Sequence, residues 1–225
     1  MTETDETLEL DVWYDPFPHL IVKNFYNKEE LDLIWEELNF YTKPGKFLKD
    51  PKNFGAIPEA TNSAGIILDQ VYRNYEDKKD WAVNGQPNFR PLSSILTVNR
   101  KIFESGILDV FADIHPCCSI APLSNYDFTK VRYYHDKEYY EPHLDASTHF
   151  LAFYYCYKEP KKFKGGNLFF PDQDYEYECD NNSLILFPGW VQHGVKKVSI
   201  KNSNYHDGYG RYSITTFFGS RYKPQ

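Results

Sequence analysis

The chain has 225 residues, a net charge of −7 and a sequence pI of about 5.5. An acidic chain lacks the electropositive surface that attracts a phosphate backbone, so we expect no nucleic-acid partner. No apolar run approaches the length of a membrane span and the first ten residues are acidic, which predicts a cytoplasmic protein with no membrane partner.

The four cysteines contain no C-x-x-C pair, so the sequence predicts no thiolate zinc site. Cys117 and Cys118 are adjacent, while Cys156 and Cys179 lie singly in strand-like segments. We expect reduced and mostly packed thiols.

Residues 16–25 begin the predicted elements with a short strand, because three β-forming residues follow a proline-rich start. A helix follows, with Asn27 as its N-cap and Glu30 at the capping-box position. Apolar residues at helical spacing predict its inward face: Leu31, Ile34, Trp35 and Leu38.

Residues 44–91 are rich in glycine, proline and asparagine and show no sustained period, although residues 64–75 could hold a short strand or helix. A long irregular stretch of this kind is commonly a functional loop or a lid, so we expect it to supply walls on the substrate side, together with the segment WAVNGQPNFRP. A second helical region starts near Ser93 and is broken at Gly106.

After Pro122 the hydrophobic period changes from 3.6 to 2, and seven short strand-like segments follow at close spacing. This pattern predicts an antiparallel sandwich or barrel, mainly β, with the earlier helices packed against one sheet from outside. We therefore expect a single domain over residues 1–225, with a helical and loop-rich part at about 1–121 and a β core at about 122–225.

The motif H-x-D at His143 and Asp145 directs two side chains to one side of an extended strand. Taken alone, such a motif is more often an exposed polar strand edge. Of the other histidines, His193 is best placed as a third ligand, because it lies between two predicted strands, and neighbouring strands are about 4.8 Å apart. His149 lies too far along the same strand. Two histidines and one carboxylate form the facial triad of non-haem Fe(II) oxygenases.

Four segments in order, YYEPHLD, GGNLFF, ILFPGWVQHGV and GRYSITTFF, resemble the core of the 2-oxoglutarate- and Fe(II)-dependent oxygenases. Within that superfamily they are most similar to the prolyl 4-hydroxylase-like branch, over about Lys130 to Gly219. The resemblance implies a double-stranded β-helix, or jelly roll, buttressed by helices. It also implies Fe(II), 2-oxoglutarate as cosubstrate, O2 and ascorbate.

By this resemblance His143, Asp145 and His193 are the metal ligands, and Arg211 binds the distal carboxylate of 2-oxoglutarate. An arginine inside an apolar barrel needs an anionic partner, although a surface salt bridge would also satisfy Arg211. Ser213, two residues further on, faces the same side and could add a hydroxyl group.

Two tyrosines also match cosubstrate-side positions of the branch: Tyr133, and Tyr140 just before the first ligand. Tyr134 could take the place of Tyr133, and each tyrosine could equally be core or rim. The segment between His193 and Arg211 is longer than is usual for the family, and its excess, KNSNYHDGY, is interpreted as an inserted hairpin tip.

The implied activity is hydroxylation of an unactivated C–H bond, with a prolyl residue of a peptide or protein as the first candidate substrate. The alternatives are an oxygenase acting on a small metabolite and a non-catalytic jelly roll that binds a metal or a sugar. A halogenase is disfavoured, because such enzymes have a small residue where Asp145 stands. The oligomeric state is not specified by the sequence.

Overall fold

Two β-sheets face each other, and helices cover the outer side of the larger sheet. This arrangement is seen in a computed structural model that describes residues 8–46, 60–73, 82–83, 86–87 and 92–220. The strands in chain order are β1 (Glu9–Trp13), β2 (His19–Lys23), β3 (Ala64–Ile67), β4 (Ala82–Val83), β5 (Gln86–Pro87), β6 (Tyr126–Tyr134), β7 (Tyr140–His143), β8 (Phe150–Cys156), β9 (Phe163–Gly165), β10 (Leu168–Phe170), β11 (Tyr175–Tyr177), β12 (Ser183–Pro188), β13 (His193–Val195), β14 (Val198–Ile200) and β15 (Arg211–Gly219). The helices are α1 (Lys28–Tyr41), α2 (Leu68–Arg73), α3 (Ser94–Val98), α4 (Lys101–Glu104) and α5 (Ile107–Ile114).

The larger sheet has seven strands in the order β1-β2-β12-β8-β15-β6-β3, and each neighbouring pair is antiparallel. The smaller sheet has four strands in the order β11-β10-β13-β7. Strands β9 and β14 form a separate antiparallel pair, as do β4 and β5. Neighbours in space are often distant in sequence, which is the signature of a jelly roll.

The first part of the chain contributes more strand than its sequence pattern predicts. The strand predicted at residues 16–25 is confirmed as β2, and β1 pairs with it at the sheet edge. Residues 64–75 hold both of the elements that were considered, strand β3 and then helix α2. Much of the irregular segment 44–91, including most of WAVNGQPNFRP, lies outside the described residues, so its predicted role as a substrate wall stays a prediction.

Helix α1 begins as its sequence predicts. The Asn27 side chain accepts a hydrogen bond from the Glu30 backbone, and the Glu30 carboxylate accepts one from the Asn27 backbone. Ile34 and Leu38 are fully buried, and Leu31 and Trp35 pack at the edge of the same core. The predicted break at Gly106 is confirmed, since this residue has a φ of +77° and separates α4 from α5.

Alternation along the strands of the larger sheet divides the core in two. On β15, Tyr212, Ile214 and Phe218 pack toward the helices, whereas Arg211 and Phe217 face the smaller sheet. The space between the two sheets therefore receives the inward face of β15 and of its neighbours, and this space holds the site described below.

Three further expectations concern segments outside the two sheets. The segment KNSNYHDGY is not a hairpin tip: it connects β14 to β15, which do not pair, and contains a short 3-10 helix at Tyr205–Asp207. All four cysteines are free, and only Cys117 is exposed. Within the described part of the chain, no helix is both long and apolar enough to span a membrane.

Candidate metal and cosubstrate site

The neighbouring strands β7 and β13, with the residues that follow β7, bring the predicted metal ligands together. His193 is the first residue of β13 and stands directly opposite His143, the last residue of β7. Asp145 follows two residues after His143. The Asp145 Oδ2 atom lies 3.4 Å from His193 Nε2 and 3.9 Å from His143 Nε2. The ligand atoms of the three residues all lie within 4.8 Å of one another.

Both imidazole rings are oriented by the same backbone contact. The Nδ1 atom of His143 lies 3.0 Å from the carbonyl oxygen of Glu141, and that of His193 lies 3.0 Å from the carbonyl of Val191. An Nδ1 proton donated to a carbonyl leaves Nε2 as the lone-pair atom, which is the usual arrangement of a metal-binding histidine. His193 Nε2 is buried without a hydrogen-bond partner among the described residues. The donor set therefore fits a divalent iron ion with open coordination positions.

The backbone behind Asp145 is held at a close approach that only glycine permits. The amide of Asp145 donates to the carbonyl of Gly189 over 3.2 Å. A Cβ atom on Gly189 would stand 2.5 Å from the Thr148 carbonyl oxygen and 2.9 Å from that of Asp145. The glycine of the segment FPGW thus fixes the carboxylate ligand next to the strand that leads to His193.

The charges of the three residues depend on one another. Burial, followed by repulsion from His193, lowers the pKa of His143 to about 4. Burial alone would raise the pKa of Asp145, but the close contact with His193 and the charges of both histidines lower it overall. A neutral imidazole beside an ionised carboxylate is the protonation state that metal binding requires.

A cavity of about 100 Å³ lies against the three ligands. Aromatic rings support it: Tyr140 stacks on His143 with ring centroids 3.9 Å apart, while Phe153 and Phe187 meet the His193 ring edge-on. The remaining lining residues come mainly from β6, β13 and β15 and are Lys130, Arg132, Tyr134, Leu144, Val195, Thr215 and Phe217.

Arg211 lies deeper along the same face of β15, beyond the residues that line this cavity, and is only 1% exposed. Its Cζ atom lies 4.8 Å from the Tyr134 ring centroid and 4.6 Å from that of Tyr155. Its Nη2 atom lies 3.8 Å from the Cys179 sulfur, a weak acceptor. The Nε and Nη1 atoms have no partner among the described residues.

Two hydroxyl groups beside Arg211 are also buried without partners in the described part of the chain. They belong to Ser213, on the same face of β15, and to Tyr155, which stands opposite Ser213 on β8. Burial raises the pKa of Tyr155, so its phenol stays protonated and can donate. Unsatisfied buried donors are costly, and a carboxylate placed among these would satisfy them together. The set fits the distal carboxylate of 2-oxoglutarate.

The structure decides between the two adjacent tyrosines of β6. Tyr133 faces the helices, not the cavity, where its hydroxyl donates to the Tyr205 carbonyl over 3.1 Å and accepts from the Gly210 amide over 3.0 Å. Its prediction as a cosubstrate-side residue is wrong, because the period of 2 turns Tyr134 to the inside instead. Tyr140 lines the cavity, and its contact with the cosubstrate stays a prediction.

Sequence reasoning missed three residues of this space: Lys130, Arg132 and Tyr155. The alternation of TKVRYY groups Lys130 and Arg132 with Tyr134 on one face of the strand, but it does not say which face is inside. Burial, and then repulsion from Arg132, lowers the pKa of Lys130 to about 8.

The other histidines lie apart from this centre. His206 lies in the loop before β15, where its Nδ1 atom contacts the carbonyl oxygen of Thr42. The backbone amide of His149 donates to the carbonyl of Phe218. His143, Asp145 and His193 are the one group of three or more possible metal ligands found within the described ranges.

Residues 129–219 match the model of the family described as the 2OG-Fe(II) oxygenase superfamily. By sequence, none of the curated proteins is a significant match. The matched residues include His143, Asp145 and His193, and also Arg211 and Ser213.

Solved structures with the same fold include a prolyl-4-hydroxylase from Pseudomonas putida, at 15% identity and a TM-score of 0.52, covering 90% of this chain and 92% of that one. A Trichoplax adhaerens prolyl hydroxylase, in complex with a hypoxia inducible factor oxygen degradation domain peptide fragment, has 13% identity, a TM-score of 0.54 and coverage of 89% and 82%. A 2OG-Fe(II) oxygenase family oxidoreductase from Burkholderia pseudomallei has 14% identity, a TM-score of 0.54 and coverage of 89% and 84%. At this identity the likeness concerns the fold, and it confirms the predicted double-stranded β-helix buttressed by helices.

Proposed function

We propose that the chain is a member of the 2OG-Fe(II) oxygenase superfamily, whose model residues 129–219 match, and that it hydroxylates an unactivated C–H bond with Fe(II), 2-oxoglutarate and O2. The supporting observation is that two sets of atoms share one interior: three convergent metal ligands, and beyond them the buried donors of Arg211, Ser213 and Tyr155 that have no partner among the described residues. A module that only binds metal would have no use for the second set.

In this proposal His143, Asp145 and His193 hold iron, and Arg211, Ser213 and Tyr155 hold the distal carboxylate of 2-oxoglutarate. When bound, the iron and the cosubstrate supply the oxidising chemistry that activates O2. The chain itself positions the substrate C–H bond and limits water, through aromatic walls around a small cavity. No side chain is required as a nucleophile or general base.

For the substrate we propose a prolyl residue of a peptide or protein. The support is the shared fold with prolyl hydroxylases, one of which is complexed with a peptide fragment. A small metabolite remains the second candidate, because the enclosed part of the cavity, about 100 Å³, holds little more than one side chain.

The test of the iron site is metal binding followed by turnover. We expect His143→Ala and His193→Ala to lose Fe(II) binding and 2-oxoglutarate turnover, since each removes one of three ligands. Iron content after anaerobic loading and succinate release measure the two effects. His149→Ala and His206→Ala serve as controls and should retain the metal.

Full iron content and full turnover in either ligand variant would contradict the assignment of that histidine as an iron ligand. A protein that binds iron but neither binds nor consumes 2-oxoglutarate would instead favour the non-catalytic metal-binding module.

A further inference from the structure

Two adjacent cysteines lie at the end of the helical layer, in the segment HPCC. Cys117 and Cys118 belong to a 3-10 helix, Pro116–Cys118, which follows α5 and packs against it. Such a helix has about three residues per turn, so adjacent side chains point in different directions. Cys118 turns into the core and is 2% exposed, whereas Cys117 is exposed. One thiol is therefore open to solvent, and its neighbour is buried.

The imidazole of His115 lies against the exposed thiol. Its Nδ1 atom is 3.1 Å from Cys117 Sγ and accepts a hydrogen bond from the Cys117 backbone amide over 3.2 Å. Because an amide can only donate, Nδ1 carries a lone pair and the ring proton is on Nε2. Nδ1 can therefore take the proton of the Cys117 thiol. This transfer would leave a thiolate, which is the reactive form of cysteine.

The buried thiol is close to the exposed one. The two sulfur atoms are 3.8 Å apart. Burial, followed by the charge of Cys117, raises the pKa of Cys118 to about 12, so this thiol keeps its proton. Cys117 is thus the sulfur that meets an oxidant, and Cys118 is placed to react with the product.

We propose that Cys117 is a site of oxidation by hydroperoxides, with His115 as its base and Cys118 as the thiol that closes a disulfide with it. First, the Cys117 thiolate attacks one oxygen of the peroxide. An S–O bond forms, the O–O bond breaks, and the leaving oxygen takes the proton held by His115. The Cys118 thiol then attacks the oxidised sulfur: an S–S bond forms, the S–O bond breaks, and water leaves with the Cys118 proton.

The balance of the two steps is simple. The two thiols lose two electrons and two protons, and hydrogen peroxide becomes two molecules of water. Adjacent Cα atoms across a trans peptide are about 3.8 Å apart, less than the roughly 4.4–6.8 Å that disulfides usually span. A bond between neighbouring cysteines is therefore strained and readily reduced. It suits a reversible response to peroxide, and this chemistry is independent of the proposed oxygenase activity.

The experiment follows the four cysteines after the addition of hydrogen peroxide. The full chain is loaded with Zn(II) in place of iron, so that the peroxide meets no redox-active metal. At successive times the remaining thiols are alkylated in unfolded protein, and the peptides are identified by mass spectrometry. A parallel series contains dimedone, which captures sulfenic acids. Glutathione, treated in the same way, gives the rate of an ordinary thiol.

In the wild type, we expect the peptide that contains both adjacent cysteines to lose two hydrogen atoms, and dithiothreitol to restore both thiols. Cys118→Ser should stop at the sulfenic acid of Cys117, which dimedone captures. Cys117→Ser should leave Cys118 reduced, because that thiol is buried. Cys156 and Cys179 are also buried, and they serve as internal controls that should stay reduced.

His115→Asn tests the base. Asparagine is a good N-cap, so it can still accept the Cys117 amide, but it cannot take a proton. The oxidation rate of this variant should fall about tenfold or more. The matched control is His206→Asn, because His206 Nδ1 contacts the Thr42 carbonyl and no cysteine. Its oxidation rate should equal that of the wild type, and an unchanged urea midpoint of His115→Asn shows that the fold is intact.

Several results would overturn the proposal. One is a Cys117 that reacts no faster than glutathione, a comparison that needs no variant. Another is an unchanged oxidation rate in a folded His115→Asn protein, which would remove the base. A sulfenic acid that persists on Cys117 of the wild type, or a disulfide that joins Cys117 of two chains, would mean that Cys118 does not close the bond.

Discussion

His143 and His193 each contact a backbone carbonyl two residues earlier in the chain, Glu141 and Val191. This repeated local contact selects one tautomer for both rings and directs the two Nε2 atoms toward the Asp145 carboxylate, 3.9 Å and 3.4 Å away. The carboxylate side has a different support, the Gly189 backbone. The centre is thus preorganised by backbone groups, which a change of distant side chains does not disturb.

Arg211→Ala should weaken 2-oxoglutarate binding by roughly thirty-fold or more, because truncating one partner of a buried charge pair costs about 2–5 kcal/mol. The 2-oxoglutarate affinity of Arg211→Lys should lie between those of the wild type and Arg211→Ala, since lysine keeps the charge and loses the bidentate geometry. Titration calorimetry with Mn(II)-loaded proteins measures both, and unchanged metal affinity shows that the site is intact. An unchanged dissociation constant for Arg211→Ala would assign the distal carboxylate to another cation: of the two alternatives, Arg132 lines the cavity, whereas Lys196 is exposed and contacts Glu176.

Tyr155→Phe and Tyr133→Phe should have opposite consequences, because the two hydroxyls face opposite sides of the larger sheet. Tyr155→Phe removes a donor that has no partner in the described protein, so stability should hold while 2-oxoglutarate binding falls about tenfold. Tyr133→Phe leaves the Gly210 amide without its acceptor and should cost about 1–3 kcal/mol of stability, with 2-oxoglutarate binding unchanged. Urea unfolding and calorimetry on the two variants distinguish a role in stability from a role in cosubstrate binding. A reversed pattern would mean that Tyr133, and not Tyr155, contacts the cosubstrate.

At the scale of elements, a buried carboxylate joins α1 to the start of α3. Glu37, 9% exposed, accepts hydrogen bonds from the Ser93 hydroxyl over 2.8 Å and from the Ile95 amide over 2.8 Å. Ser93 is also the N-cap of α3. A carboxylate at a helix N-terminus is favoured by the unpaired amides there, so this contact fixes the relative position of two helices that pack on the sheet.

Glu37→Ala should lower the free energy of unfolding by about 3 kcal/mol, since it leaves three buried donors, on Tyr41, Ser93 and Ile95, without their acceptor. The neighbouring exposed residue provides the control: Glu36→Ala should change it by less than about 0.5 kcal/mol. Urea denaturation measures both. A loss for Glu37→Ala no larger than that for Glu36→Ala would mean that the helices are positioned by apolar packing alone.

For the molecule as a whole, burial of ionisable groups links stability to pH. His19 is fully buried on β2, between the rings of Trp13 and Phe17, with centroids 5.8 Å and 4.6 Å away. Its Nδ1 atom lies 2.9 Å from the Phe17 carbonyl, and Nε2 has no partner among the described residues. Burial lowers the pKa of His19, because a second proton would place a charge in this apolar cluster.

Between its folded-state pKa and about 6.5, His19 binds more proton in the unfolded chain than in the folded one. Stability should therefore fall as the pH drops below about 6.5, and His19→Phe should flatten part of this dependence. Unfolding free energies at several pH values from 7.5 to 5 test the slope, with exposed His115→Asn as the control. An identical slope for His19→Phe and the wild type would contradict a neutral buried imidazole.

The order of the β segments and the candidate metal ligands could be predicted because they depend on local rules. Period 2 marks strands, and Asn27, Glu30 and Gly106 mark helix boundaries through their own backbone contacts. The convergence of the three ligands was predictable because His143 and Asp145 are two residues apart and share one side of an extended chain, and because His193 lies at the beginning of a predicted strand. The role of these residues as iron ligands stays a prediction until metal binding is measured.

What the sequence alone determined, then, is each residue's face relative to its neighbours in the same strand. It did not determine which face meets the other sheet, because an inward tyrosine at 133 or at 134 satisfies the alternation equally well. Only the tertiary structure settled that choice, through the register of β6 with β15, which sets Tyr134 opposite Arg211. The same long-range pairing brought Lys130, Arg132 and Tyr155 to the interior beside the metal ligands. These contacts join residues far apart in the chain, and no local preference specifies them.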